Sequence, residues 1–204
     1  MKVALKMMVS TWALATASSR FVLLCVCLFC VTMPAVAENG ASKNVSRDEF
    51  LAAAFSNQEP EQKMLWLDSA QRDTIKEILG HPYRGLRIRY WAADDRQAWI
   101  LDEIGKEAPI TIGVVAEDGR VMGVTVLEFR ESRGGEVRYD FFTHQFLGAA
   151  LTSDLQLDQN IDGITGATLS VRAVINVTEL ALYLSGSVEA NNQLSSDQHV
   201  ESLD

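Results

Sequence analysis

From Leu86 onward the chain alternates. In Leu86-Arg87-Ile88-Arg89-Tyr90-Trp91, apolar and charged residues fall on opposite sides of an extended backbone, the two-residue period of a strand with one buried face. Ala93-Asp94-Asp95 reads as a turn and Gln97-Ala98-Trp99-Ile100-Leu101 as the returning strand. Residues 110–115 and 120–129 flank Glu117-Asp118-Gly119, an acidic-glycine turn between apolar runs and a strong hairpin signal. The period then changes. Leu169, Val171, Val174, Ile175, Val177, Leu180, Ala181 and Leu184 recur at helical spacing, so a helix from about 167 to 184 is expected to close the fold. The expectation is α+β: a small antiparallel sheet of four or more strands with helices packed on it.

Upstream, the pattern predicts an N-terminal helical cap. Ser46 and Glu49 have the spacing of a capping box ahead of Phe50-Leu51-Ala52-Ala53-Ala54-Phe55. A second helix is expected over about 61–67, with Met64, Leu65, Trp66 and Leu67 as packing residues. A third is expected over 69–79, stopping at Gly80 with Pro82 close behind. Residues 38–44 read as polar and loose, and 186–204, rich in Ser, Asn, Gln and Asp, as a disordered tail. The expected division is 1–37 leader, 38–83 helical segment, 84–185 principal domain and 186–204 tail.

Two stretches stand out for chemistry. Asp162-Gly163-Ile164-Thr165-Gly166-Ala167-Thr168-Leu169-Ser170 is a glycine-rich turn running into the closing helix. The free amides of a first helical turn, with the helix dipole, favour an anion there, and a phosphate is the natural guest. Ordinary capping by Thr165 or Thr168 accounts for the same residues. The second stretch, 130–138, holds Arg130, Glu131, Arg133, Glu136 and Arg138 with Gly134 and Gly135 directly after a strand. It reads either as a solvated loop with weak ion pairs or as a ligand loop. The following Tyr139-Asp140-Phe141-Phe142-Thr143-His144-Gln145-Phe146 reads as a short helix or turn whose aromatics serve a ligand wall or the core.

Composition narrows the choice. The formal charge of the 204 residues is −9. Lys2, Lys6 and Arg20 precede an apolar run over 21–33, and Ala35-Val36-Ala37 fits a cleavage site, so 1–37 is expected to be a signal peptide, with an uncleaved N-terminal anchor as the alternative. Removing it leaves 15 basic against 27 acidic residues, a net charge of −12. That balance argues against nucleic acid. Cys25, Cys27 and Cys30, the three cysteines, all lie in the leader, so the mature chain is expected to have no disulfide or thiolate-held group. There is no HExxH or Cys/His spacing, and no metal is expected. Nor is there a GxSxG elbow, a GxGxxG loop or a phosphate loop of nucleotide-binding type, which speaks against a self-contained NAD(P)H oxidoreductase.

The nonapeptide 162–170 resembles the flavinylation motif of the FMN-binding domain family. That family includes the C subunit of the sodium-translocating NADH:quinone reductase, the G subunit of the Rnf complex and the N-terminal domain of the nitrous-oxide reductase regulator. The resemblance spans roughly 84–185 and includes Gly119-Arg120-Val121-Met122-Gly123-Val124-Thr125-Val126-Leu127 and Arg130-Glu131-Ser132-Arg133-Gly134-Gly135-Glu136-Val137.

The resemblance implies FMN joined through its phosphate to Thr168 by a dedicated flavin transferase. By position, Gly166, Ala167 and Leu169 would supply amides near the phosphate, with Thr165 and Ser170 as further cofactor-binding candidates, and Asp162, which matches the motif aspartate, would serve recognition by the transferase. Arg130, Glu131, Arg133 and Glu136 would lie on the ring and ribityl side. It further implies an extracytoplasmic electron relay without catalysis of its own, with a membrane reductase or cytochrome as redox partner. The chain departs from the large respiratory subunits in being short, which fits a stand-alone periplasmic carrier better. A noncovalent FMN-binding or sensing module and a cofactor-free partner domain are the alternatives.

Overall fold

A computed structural model describes residues 45–56 and 58–201. The expected leader and the polar stretch 38–44 lie outside the described residues. Five strands form one antiparallel sheet in sequence order: β1 (Glu61–Trp66), β2 (Arg87–Ala93), β3 (Arg96–Ile104), β4 (Pro109–Glu117) and β5 (Arg120–Phe129). The β2–β3 and β4–β5 connections are the two expected acidic turns. Asp94 (φ 50), Asp118 (φ 51) and Gly119 (φ 70) take the left-handed backbone that tight hairpins need.

Three further helices precede the closing one. Helix α1 (Arg47–Phe55) starts at the expected capping box, with Ser46 Oγ accepting from the Glu49 amide and the Glu49 carboxylate accepting from the Ser46 amide. Helix α2 (Ser69–Leu79) is capped in the same way by Asp68 and Gln71 and stops at Gly80. A single turn, α3 (Asp140–Thr143), lies between two short 3-10 turns, 135–138 and 144–146. Helix α4 (Thr168–Glu201) closes the fold.

The sheet is covered on both faces. On one, α4 packs over β3 and β4 with α2 against it, and Trp99, Ile110, Ile112, Val114, Val174 and Leu184 are all fully buried there. On the other, α1 sets Phe50, Ala54 and Phe55 against Trp91, Ala98, Val115 and Leu127. The Phe50 ring comes so close to β4 that a Cβ on Gly113 would lie 2.6 Å from it. A strand covered on both sides loses its alternation, hence the nearly continuous apolar run of β4.

Two expectations are corrected. Residues 61–66 are not helical but form β1, an edge strand paired with β2 from Glu61↔Ala92 to Trp66↔Arg87. Within this strand only Leu65 is buried, so no alternation marks it, and the pairing itself decides its conformation. The tail expected to be disordered from Gly186 is instead helical through Glu201. The physical reason is that the apolar stripe continues: Val188 is 5% exposed, and the buried Ser185 Oγ accepts a hydrogen bond from Trp99 Nε1 at 2.8 Å.

Candidate functional site

The two stretches singled out by composition come together at the start of α4. Ala167 is buried; its amide donates to Ile164 O (3.0 Å) and its carbonyl accepts the first helical bond, from the Val171 amide (2.9 Å). The amides of Thr168, Leu169 and Ser170 therefore have no acceptor within the helix. Gly166 precedes them at φ +82 with open space where a Cβ would stand, and Thr168 is exposed as the first helical residue. Residues with side chains rarely take such a φ. Ser170, by contrast, is buried at 4% exposure.

The loop after β5 lies against this helix start. Gly134 has φ +83, and a Cβ on it would fall 2.8 Å from Ser170 Oγ and 3.2 Å from Ala167 Cβ. Beside that contact a recess of about 460 Å³ is lined by Arg133, Glu136, Arg138 and Tyr139 on one side and by Thr165 and Gly166 on the other. Arg138 is held in place: its Nε donates to Gly135 O (3.3 Å) and its guanidinium lies 5.5 Å from the centre of the Phe129 ring.

The expected site residues divide. Arg133 and Glu136 line the recess with Thr165 and Gly166, next to Thr168. Arg130 and Glu131 turn away from it. Arg130 Nη1 donates to Pro109 O (3.0 Å) and Thr111 Oγ1 (3.1 Å), and its other nitrogen pairs with Glu128. Glu131 Oε1 accepts from the amides of Lys106 (2.5 Å), Glu107 (2.7 Å) and Ala108 (3.0 Å) in the β3–β4 turn. The Ala108 and Glu107 amides hold the Glu131 carboxyl below its ordinary value. Both residues thus fasten the loop to the sheet. Asp162 is exposed; its amide donates to Gln145 Oε1 (2.7 Å), and Asn160 Nδ2 donates to its carboxylate (3.3 Å).

Gln145 escaped the sequence reading. It fixes the loop ahead of α4 at two points, since its backbone carbonyl also accepts from Gln159 Nε2. A polar residue in an aromatic run gives no sign that it reaches 17 residues ahead. The aromatics divide as well. Phe142 and Phe146 are fully buried and pack edge-to-face at 5.4 Å, which makes them core residues. Tyr139 lines the recess and stacks at 6.1 Å on Phe141, which is 62% exposed. Among the described residues no group of three or more His, Cys, Asp or Glu is placed to hold a metal, and no helix is long and apolar enough to cross a membrane.

A helix start with free amides, bordered by a glycine-lined recess with arginine and tyrosine in its wall, has the chemistry to receive a phosphate-bearing aromatic group. The comparison with known families gives that class its name. Residues 105–183, from the β3–β4 turn into the fifth turn of α4, match the sequence model of the FMN-binding domain, a match that supports assignment to that family. Its role is accordingly one of flavin binding. No curated protein matches the chain.

Proposed function

We propose that the chain is an exported flavoprotein that carries FMN as a phosphoester on Thr168 and relays electrons in an extracytoplasmic chain. The observation that carries this reading is the placement of Thr168. Its hydroxyl is exposed at the first position of α4, one residue past a buried alanine and two past a left-handed glycine, where unpaired amides favour a phosphate.

The residues fit the group. The first-turn amides and the open side of Gly166 receive the phosphate. Arg133 and Glu136 offer charge and hydrogen bonds along the recess, and Tyr139 offers a flat face. Asp162, exposed at the mouth of the loop, is available to a flavin transferase during maturation. Bound FMN supplies reversible one- and two-electron chemistry; the chain shields and tunes it. The absence of any NAD(P)H-binding loop in the sequence favours a carrier that takes electrons from one protein and gives them to another, such as a membrane reductase or cytochrome. Export rests on residues 1–37, and an uncleaved anchor would leave the domain on the same side of the membrane.

Intact mass after acid precipitation tests the proposal on protein coexpressed with a flavin transferase and exported. An added FMN minus one water on the Thr168 peptide supports it, and Thr168→Val is expected to abolish all denaturation-resistant flavin. Flavin released into the supernatant from unmodified protein would establish a noncovalent module instead. A colourless, unmodified chain would leave a cofactor-free partner domain.

A further inference from the structure

A second recess borders the first turns of α4, starting at Leu169, the residue after Thr168. A cleft of about 460 Å³ opens between the C-terminal end of α2, the end of β3 and the first turns of α4, and Leu169, Arg172 and Asn176 form its helical wall. Opposite them stand His81, just past the Gly80 cap, and Glu103 of β3. The two are paired: His81 Nε2 lies 3.0 Å and 3.2 Å from the Glu103 carboxylate oxygens, and Glu103 is only 6% exposed. Glu77 of α2 is the remaining charged residue of the lining.

Arg172 follows Thr168 by four residues, so the two side chains share one face of α4. Helical side chains lean toward the N-terminus, so a residue at this spacing is within reach of a group on Thr168, and Arg172 lines the cleft. Arg172 is exposed and has no carboxylate partner among the described residues. A buried carboxylate is costly unless a partner offsets its charge, and Glu103 shares the cleft with Leu169 and Arg172 of the α4 start. His81 is the group that masks Glu103. The hydrogen bond that His81 donates to Glu103 raises the imidazole's affinity for its proton above the ordinary histidine value.

We propose that this recess is the counter-charge side of the flavin tether: Arg172 neutralises the phosphodiester on Thr168, and protonated His81 keeps the Glu103 carboxylate from opposing it. The proposal rests on the Thr168 linkage proposed above. It makes the tether proton-linked. Loss of the His81 proton exposes Glu103 to the phosphate, so the phosphate in turn disfavours that loss. His81 and Arg172 are positioning residues here.

Phosphorus NMR of the flavinylated protein tests this, because the linkage contains a single phosphorus and a phosphodiester does not itself titrate near neutral pH. Between roughly pH 5 and 8 the resonance is expected to move with the same midpoint as the His81 ring proton. That midpoint is expected to lie higher in flavinylated protein than in the unflavinylated Thr168→Val chain. His81→Gln should abolish the movement. Arg172→Ala should displace the resonance at every pH, and Arg172→Lys should return it part of the way. A pH-invariant resonance, or one that still titrates in His81→Gln, overturns the His81 assignment. An Arg172→Ala spectrum identical to that of the native protein overturns the Arg172 assignment. Failure of the linkage itself is seen separately, as an unmodified Thr168 peptide by mass, and takes this inference with it.

Discussion

Gly134 and Ser170 touch: a Cβ on the glycine would lie 2.8 Å from the serine Oγ, inside any normal contact distance. Through this pair the loop after β5 closes on the first turn of α4, and the recess lined by Gly134, Thr165 and Gly166 lies beside the contact. Gly134→Ala meets two obstacles. At φ +83 an L-residue is strained, which costs about 1 kcal/mol. The methyl group also meets Ser170 Oγ, which can rotate, and Ala167 Cβ at 3.2 Å, which cannot move without the helix. The expected outcome is a loss of about 1–3 kcal/mol in denaturant unfolding together with a lower fraction of Thr168 flavinylated. Adding Ser170→Gly should recover only part of it, because the strain and the Ala167 contact persist. Full recovery in the double variant would show that the serine contact alone sets the cost.

Glu131 fixes the same loop from the other end. Its carboxylate collects three amides of the β3–β4 turn, and this holds its folded pKa below the ordinary 4.5. For a group shifted downward, the stabilisation is present above the unfolded pKa and disappears as pH falls through the folded one. Glu131→Gln keeps an acceptor oxygen but loses the charge. Its Tm is expected to lie below that of the native protein at pH 6–7 and to converge with it as pH drops below about 4.5. A gap that stays constant from pH 7 to pH 3 would mean that the charge of Glu131 does not matter. Since Glu131 does not line the recess, flavin attachment at Thr168 is expected to survive this substitution.

Much of this was legible in the sequence where a local signal and the tertiary fold agree. The capping box at Ser46, the stop at Gly80 and the turns at Asp94 and Asp118-Gly119 need only neighbouring residues to form, and each stands where the pattern puts it. Strand β1 was not legible, because its one buried residue, Leu65, carries no period and its hydrogen bonds come from β2, some 25 residues on. The reach of α4 beyond Leu184 was hidden by polar composition. Serine is neutral as an average, yet Ser185 is 1% exposed because the Trp99 indole needs an acceptor there. At the site, glycines and Thr168 could be read directly, since backbone conformation and an exposed hydroxyl are properties of single residues. Arg130 and Arg133 could not be told apart, because only the register of β5 against β4 sends the first to Pro109 and Thr111 and leaves the second in the recess.

Glu179 offers a test of how the loop ahead of Thr168 is held. It lies three turns into α4, is 9% exposed, and accepts from the Leu157 amide at 3.2 Å. Burial pushes its carboxyl above the ordinary 4.5, with the Leu157 hydrogen bond opposing that shift only in part. The sign follows from linkage. A carboxyl whose folded pKa exceeds the unfolded one stabilises the fold at low pH and ceases to do so as pH rises through the folded value. At pH 7 the ionised group is therefore a cost to the folded state. Glu179→Gln removes the charge and keeps a carbonyl oxygen for Leu157, so its Tm at pH 7 is expected to equal or exceed the native value by a few degrees. The difference should shrink as pH falls through the raised folded value and approach zero below the ordinary 4.5, where the carboxyl is protonated in both the folded and unfolded states. Thr168 flavinylation should be unchanged, because the hydrogen bond that sets the loop remains. A Tm lower than native at pH 7 would overturn this reading and show that the negative charge itself holds residues 150–165 in place.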